Sequence, residues 1–129
     1  ERDTVALAEA VRAALRRQIT ADVACGRPSL PVYVLAPAIE EAFRDGLRYA
    51  SAGGPVALDP HIAARVVEQL RALDRSPREP TAVRPVLVVA PDVRRHVRAI
   101  VEGDLPEVAV VSYQDLLPSL ALRPIATVG

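Results

Sequence analysis

The fold is most visible in the stretch Pro85-Val-Leu-Val-Val-Ala-Pro91, where an apolar run rich in β-branched valine stands between two prolines. Valine favours strands, because its branched side chain packs well on a pleated surface. The closing proline suits the first turn of a helix, where its fixed φ and missing N–H cost nothing. The same order occurs 54 residues earlier, in Pro31-Val-Tyr-Val-Leu-Ala-Pro37. Each stretch therefore predicts a strand that leads directly into a helix.

A shorter version of the pattern, Pro55-Val-Ala-Leu-Asp-Pro60, lies between these two. Apolar residues at helical spacing follow all three runs, over 38–48, 61–75 and 92–102. Asp59 is a good N-cap for the middle helix, because its carboxylate accepts bonds from orphan N–H groups. The remaining expected elements are a surface loop at 74–85 and strands at 108–112 and 120–128. Three strand–proline–helix units with short connections predict an α/β layered fold with some parallel pairing.

The first segment of the chain, 4–20, has the pattern of an amphipathic helix. Its apolar stripe recurs at spacings of three and four and consists of Val5, Ala8, Val11, Leu15 and Ile19. The charged residues expected away from that stripe are Glu9, Arg12, Arg16 and Arg17. The stretch Cys25-Gly-Arg-Pro-Ser29 then interrupts the pattern with Gly and Pro. We therefore expect a boundary here between the first helix and the α/β part.

The overall composition is that of an ordinary soluble domain. Half of the 129 residues are apolar, a quarter are charged, and 16 acidic side chains balance 16 basic ones. This balance gives no electrostatic case for a nucleic acid or an anionic membrane surface as partner. No apolar run approaches the roughly 20 residues of a membrane span. The chain contains no Met, even at position 1, so we expect a piece of a longer protein. We expect no signal peptide, because the chain opens on Glu1, Arg2 and Asp3 and not on a basic and then apolar stretch.

No motif in the chain predicts catalysis or a cofactor. The six glycines match neither a dinucleotide-binding nor a phosphate-binding loop, and the serines lack a nucleophile-elbow context. His61 and His96 have no second ligand at metal-site spacing, so a solvated role is favoured over zinc. Cys25 is the only cysteine, which excludes an internal disulfide and a thiolate cluster. We therefore expect no enzyme, no cofactor and no metal site.

Two arginine clusters provide the candidate partner-binding residues. They are Arg94, Arg95 and Arg98 on one expected helix, and Arg44, Arg48 and Tyr49 at the end of another. A solvated helix face is the simpler interpretation of each cluster. The alternative is a docking patch for an acidic partner, because a guanidinium group binds a carboxylate in bidentate fashion.

Five of these segments, in their order, resemble the type III secretion export gate family, which includes the flagellar FlhA protein and its injectisome counterparts. The matching segments are 11–19, 30–40, 54–60, 85–91 with the following Arg94 and Arg95, and 105–113. Together they cover nearly the whole chain, although no single motif among them is diagnostic. Ala36 and Ala90 depart from the family, which usually has a capping Asp or Ser there. The segments 39–48 and 122–125 are more similar to the injectisome branch than to the flagellar one.

The resemblance implies a place for the chain at the C-terminal end of a large cytoplasmic domain. Residues 1–27 would close a helical third subdomain, and residues 28–129 would form an α/β fourth subdomain. In the family this domain forms a ring of nine subunits at the cytoplasmic face of the bacterial inner membrane, anchored through an N-terminal membrane part. The main ring contacts lie upstream, so a chain of this extent is expected to be largely monomeric.

The resemblance also implies partners. The ring receives chaperone-bound export substrates and takes part in switching between substrate classes. A gatekeeper protein and the stalk protein of the export ATPase contact it in related systems. The function implied for this chain is therefore that of a docking platform, with neither cofactor nor nucleic acid.

Two other classes of protein stay open at this stage. A small α/β nucleotide-binding or enzymatic domain would have its site at the strand ends, near Pro37, Asp59 and Pro91. The missing phosphate-binding glycines weigh against this class. A regulatory domain with a phospho-acceptor aspartate would need paired acidic residues at a strand end, and none of the expected strands ends in such a pair.

Overall fold

Four parallel strands form the centre of the computed structural model, which describes residues 2–49, 58–75 and 83–129 and most of their side chains. The strands are β1 (Ser29–Leu35), β2 (Val86–Val89), β3 (Val110–Ser112) and β4 (Ala121–Val128). Their order across the sheet is β3-β2-β1-β4. Val32 of β1 aligns with Val86 of β2, and Leu87 of β2 aligns with Val110 of β3. The predicted α/β fold with parallel pairing is confirmed.

The helices in the described ranges are α1 (Arg2–Ala24), α2 (Pro37–Tyr49), α3 (Pro60–Asp74) and α4 (Arg94–Glu102), and a 3-10 turn follows β3 at Tyr113–Asp115. Pro37 and Pro60 open α2 and α3, as the sequence predicts. Asp59 caps α3, because its Oδ1 accepts a hydrogen bond of 2.9 Å from the N–H of His61. In these ranges, no helix combines the length and the apolar character needed to cross a membrane.

A hydrophobic core lies on each face of the sheet. The larger core packs α2, α3 and α4 against one face, and its fully buried helical members are Phe43, Val66, Leu70, Val97 and Val101. The second core joins the other face to the end of α1 and to the loop before β4, through Ala24, Leu30, Val32, Leu116 and Leu120. Side chains of β2 enter both cores in alternation, with Leu87 in the first and Val88 in the second. A strand covered on both faces is apolar at every position, which explains the run at 86–89.

The second half of α1 is fixed to the α/β unit by hydrogen bonds as well as by packing. The Oγ of Thr20 accepts a bond of 2.9 Å from the N–H of Leu117. The Nε of Arg16 donates a bond of 2.7 Å to the carbonyl of Gln114. The helix ends where Cys25 and Gly26 adopt φ angles of 53° and 79°, in the left-handed region that commonly terminates helices. The predicted division of the chain at residue 27 stays a prediction.

The strand–proline–helix pattern holds fully in the first unit and changes in the third. The helix expected from residue 92 begins at Arg94, so Pro91 lies in a turn and outside the helix. The turn forms because the carbonyl of Ala90, which has no capping side chain, accepts a bond of 3.2 Å from the N–H of Val93. Val93 then becomes the N-cap residue, without a capping side-chain bond.

The second unit is described except for the start of its expected strand, and its helix is α3. Its expected strand begins at residues 55–57, which lie outside the described residues, and Leu58 and Asp59 are not in a strand. The expected glycine turn at 53–54 and most of the expected loop at 74–85 also lie outside the described residues.

Candidate functional site

The core face of α4 contains Val97 and Val101, which are fully buried. Arg95 and Arg98 are exposed, whereas Arg94 lies at the border of the core face, one turn before Val97. Arg94 is partly covered and lies 3.8 Å from Asp115, while the exposed Arg98 lies 3.8 Å from Glu102. Arg95 is exposed, and within the described residues it has no ion pair. These distances are long for ion pairs, so the guanidinium groups remain able to bind external carboxylates.

The candidates on α2 are held by carboxylates of the chain itself. Arg44 makes a bidentate pair with Asp92. Its Nε lies 2.7 Å from Oδ2 of Asp92, and its Nη2 lies 3.3 Å from Oδ1. This hydrogen bond lowers the pKa of Asp92 and raises the pKa of Arg44. Arg48 is bonded to Asp45 at 2.6 Å, one helical turn away. Tyr49 is the last residue of α2, and its side chain lies outside the described part of the structure.

Asp92 joins part of the two predicted clusters into one surface. It belongs to the turn between β2 and α4, two residues before Arg94, and it holds Arg44 of α2. Glu40 makes a second link between the same elements, because its Oε2 accepts a bond of 2.9 Å from the N–H of Ala90. Sequence reasoning did not single out Asp92. Its position three residues after the buried run 86–89, at the end of a strand, was the available signal.

A groove of about 870 Å³ opens beside this arginine surface. One wall is α1, which contributes Thr4, Leu7, Val11, Leu15, Arg16 and Ile19. The opposite wall contains Pro91, Asp92, Arg94 and Arg95, together with residues of the 3-10 turn after β3. Three apolar side chains of the α1 wall remain largely exposed: Leu7 at 66%, Val11 at 50% and Leu15 at 52%.

The groove corrects one expectation about α1. Within the predicted apolar stripe, Ile19 packs against the second core, while Val11 and Leu15 line the groove. Arg16 was expected away from the stripe, but it lines the groove because its bond to Gln114 holds it there. Leu7 was missed, because the periodic pattern did not require it. The side chains of Val5 and Ala8 lie outside the described part of α1.

The expected positions of a nucleotide site have other roles in this fold. Open α/β sheets bind ligands at the carboxyl ends of the strands, at the point where the strand order reverses its direction across the sheet. In the order β3-β2-β1-β4 this point lies between β1 and β4. The carboxyl ends of these two strands are in close contact, since a bond of 2.8 Å runs from the N–H of Ala36 to the carbonyl of Val128. Pro37 opens α2, Asp59 caps α3 and Pro91 lines the groove. His61 and His96 lie on different helices, and the described residues contain no group of side chains suited to a metal ion.

Comparison with known proteins places the chain in a family. Residues 1–121 match the FHIPEP family. Low calcium response locus protein D of Yersinia pestis is 34% identical over 128 residues, which are 99% of this chain and 18% of that protein. The structure of the Chlamydia pneumoniae CdsV and CdsO complex matches with a TM-score of 0.80 and 37% identity, over 100% of this chain and 38% of that one. Nonameric EPEC SctV-C matches with a TM-score of 0.75 and 31% identity, over 99% of this chain and 38% of that one. The chain therefore belongs to the FHIPEP family of type III secretion export gate proteins, on the injectisome branch.

Proposed function

We propose that this chain is a docking module at the C-terminal end of the cytoplasmic domain of an injectisome export gate. The observation that carries the proposal is the surface on which Asp92 connects Arg44 of α2 with Arg94 and Arg95 of α4, beside an open apolar groove. A relative of known structure, CdsV, forms a complex with CdsO, which supports protein docking as the task of the domain. The partners of this chain are chaperone–substrate complexes, a gatekeeper protein and the stalk protein of the export ATPase. Its role is to receive substrates and to take part in switching between substrate classes.

The proposal extends to the location and assembly of the longer protein. Residues 1–27 close its helical third subdomain, and residues 28–129 form its α/β fourth subdomain. The domain lies at the cytoplasmic face of the inner membrane, anchored by a part of the protein outside this chain. The nonameric state of EPEC SctV-C supports a nine-subunit ring for the longer protein. The chain alone is a monomer, because the main ring contacts belong to other subdomains.

The chain acts by binding and not by catalysis. The charged side chains of the candidate surface form arginine–carboxylate pairs with one another. Such pairs favour the binding of another protein over the catalysis of a reaction. The test is a thermal shift measurement with ATP, GTP and NAD, in which the midpoint is expected to stay unchanged. A rise of several degrees with one of these nucleotides would instead support a nucleotide-binding domain.

Biolayer interferometry tests the docking role directly. The immobilised chain is exposed to a chaperone from the same secretion locus, with and without its cargo, and separately to the stalk protein. We expect micromolar binding that weakens about tenfold in the double variant Arg95→Glu with Arg98→Glu. The matched control is Arg65→Glu with Arg123→Glu, which makes the same change in charge on exposed residues away from the groove. Equal binding by both variants would leave the α4 arginines as a solvated face.

A failure to bind has two distinguishable meanings. If the complete cytoplasmic domain binds the same partners and this chain does not, the docking site lies in the other subdomains. If neither binds, the docking function itself is wrong.

A further inference from the structure

A depression of about 250 Å³ lies at the amino-terminal ends of β1 and β2. Ser29 and Pro31 of β1 line it, together with Val83 and Pro85, which precede β2. The exposed apolar side chains of α1 belong to the groove at the other end of these strands, where Pro91 follows β2. A subdomain that covers those side chains therefore approaches the opposite end of the sheet.

The depression forms because the described helices cover only part of this face of the sheet. Tyr33 of β1 belongs to the larger core, and its hydroxyl donates a bond of 3.4 Å to the carbonyl of Leu73 in the last turn of α3. Ser29 and Pro31 lie earlier on the same face, since side chains alternate along a strand. Both are only partly buried, while their neighbours in the strand are buried in the second core.

A bulge in β4 adds an apolar side chain to the depression. Arg123 aligns with Pro31, and the register then shifts by one residue at Ile125. Bulges redirect side chains and are frequent beside active sites. Ile125 is 50% exposed and lines the depression together with Arg123.

The charges of the depression have one sign. Among the described residues its charged lining side chains are Arg27 and Arg123, and none is acidic. Arg123 is exposed, and no carboxylate of the described residues lies at ion-pair distance from it. The surface beside these guanidinium groups is apolar and contains Pro31 and Pro85, whose rings fix the backbone. The complementary ligand combines an apolar group with carboxylates, because a guanidinium group has five donors and no acceptor.

We propose that this depression binds a short acidic segment of a partner protein, with an apolar side chain against Ile125 and carboxylates on Arg27 and Arg123. The volume suits one large side chain, because sites for complete small molecules usually measure about 300–1,000 Å³. Side chains carry the recognition, since Pro124 and the bulge interrupt the outer edge of β4 and oppose the addition of a strand. The inference goes beyond the proposed function, because this site is separate from the arginines of α4.

A peptide titration followed by NMR tests the site. The probe is a five-residue peptide, acetylated and amidated, with a leucine between two aspartates, and the matched peptide has asparagines in place of the aspartates. We expect the aspartate peptide to shift the amide signals of Ser29 and Ile125 and the Nε signal of Arg123, with a dissociation constant in the millimolar range. The asparagine peptide is expected to bind about fivefold more weakly.

Two variants test the contacts separately. Arg123→Gln removes a guanidinium charge and Ile125→Ser removes the apolar contact, and both side chains are exposed enough to be changed without opening a core. Each is expected to weaken the binding of the aspartate peptide about fivefold. Arg65→Gln, the matched control, loses the same charge on an exposed position of α3 and should bind like the wild type. Unchanged binding by both site variants would overturn the inference, as would signal shifts confined to the arginines of α4.

The remaining outcomes concern the occupant. No signal shift at up to about 10 mM peptide would overturn the inference. Stronger peptide binding by Glu79→Lys would also overturn it, by assigning the depression to residues 76–82 of the chain itself, which lie outside the described residues. A failure of the docking experiment above leaves this test intact, because the peptide replaces the partner. In that experiment, binding lost in Arg65→Glu with Arg123→Glu but kept in Arg65→Glu alone would support an acidic partner segment in the depression.

Discussion

Asp92 connects two helices through a single side chain. Its carboxylate holds Arg44 of α2 in a bidentate pair, while its backbone belongs to the turn that leads into α4. The neighbouring bond from Ala90 to Glu40 fixes the same turn to α2. The arginines of α4 are thereby presented on one surface with Arg44.

The pair predicts a pH dependence of stability. The bond to Arg44 lowers the pKa of Asp92 below its ordinary value of 3.8, so the folded state favours the ionised carboxylate. Its contribution is therefore complete above that value and is lost as the pH falls through the lower pKa of the folded state. We expect Asp92→Asn to reduce the urea midpoint slightly at pH 7, because an exposed pair contributes little. The difference from the wild type should shrink below about pH 4.

The control for this prediction is Asp45→Asn, which removes the carboxylate that pairs with Arg48 within α2 and leaves the turn intact. A difference between wild type and Asp92→Asn that stays constant down to pH 2.5 would contradict the proposed role of the ionised pair.

At the scale of the element, α1 is divided into a fixed half and an exposed half. Its last two turns are fixed by the hydrogen bonds of Arg16 and Thr20 and by burial of Ala24. Its earlier turns present Leu7 and Val11 to the groove. The same helix thus contributes to the second core at one end and to the candidate docking surface at the other.

Thr20→Val tests the fixed half. The hydroxyl of Thr20 is nearly buried and accepts the bond from the N–H of Leu117, which valine cannot replace. Leaving this part-buried donor without its acceptor costs at most about 1–3 kcal/mol, so the free energy of unfolding should fall by no more than that amount. Thr20→Ser keeps the hydroxyl and should lose much less. Equal stabilities of the valine variant and the wild type in urea denaturation would show that the bond is unimportant.

The edge strand β4 carries features that oppose pairing with another chain. Pro124 has no N–H to donate, and Ile125 is an extra residue in a bulge, because Val32 aligns with Pro124 and Tyr33 with Ala126. Prolines, bulges and charges at edges prevent continued strand addition. We expect Pro124→Val to aggregate faster on heating, as measured by light scattering. Thr127→Val, on the same strand, is the control for added apolar surface, and equal aggregation of both variants would refute this role for the proline.

At the scale of the whole molecule, the two cores share one sheet, so the packing of one face supports that of the other. Leu7, Val11 and Leu15 of α1 form an exposed apolar strip beside the groove. We nevertheless expect the isolated chain to be monomeric, because a strip of three side chains is small compared with a stable interface. Light scattering at increasing concentration should give a mass near 13.8 kDa. A stable ring or dimer would contradict this expectation.

Much of the fold could be predicted from short-range signals. The valine-rich runs before Pro37 and Pro91 determine where β1 and β2 lie, because a β-branched apolar run followed by proline favours few other local structures. Asp59 determines the start of α3 through its carboxylate. The exposure of Arg95 and Arg98 follows from the helical period of α4, whose valines take the buried positions.

The sequence by itself therefore determined the elements, their helical faces and the family resemblance, since each depends on residues close together in the chain. Only the tertiary structure decided the order β3-β2-β1-β4, the pair between Arg44 and Asp92 and the groove beside α1. These features join residues that are far apart, such as Arg44 and Asp92 at a separation of 48 residues. A periodic pattern shows that α1 has an apolar side, but what covers that side depends on the packing of all the other elements.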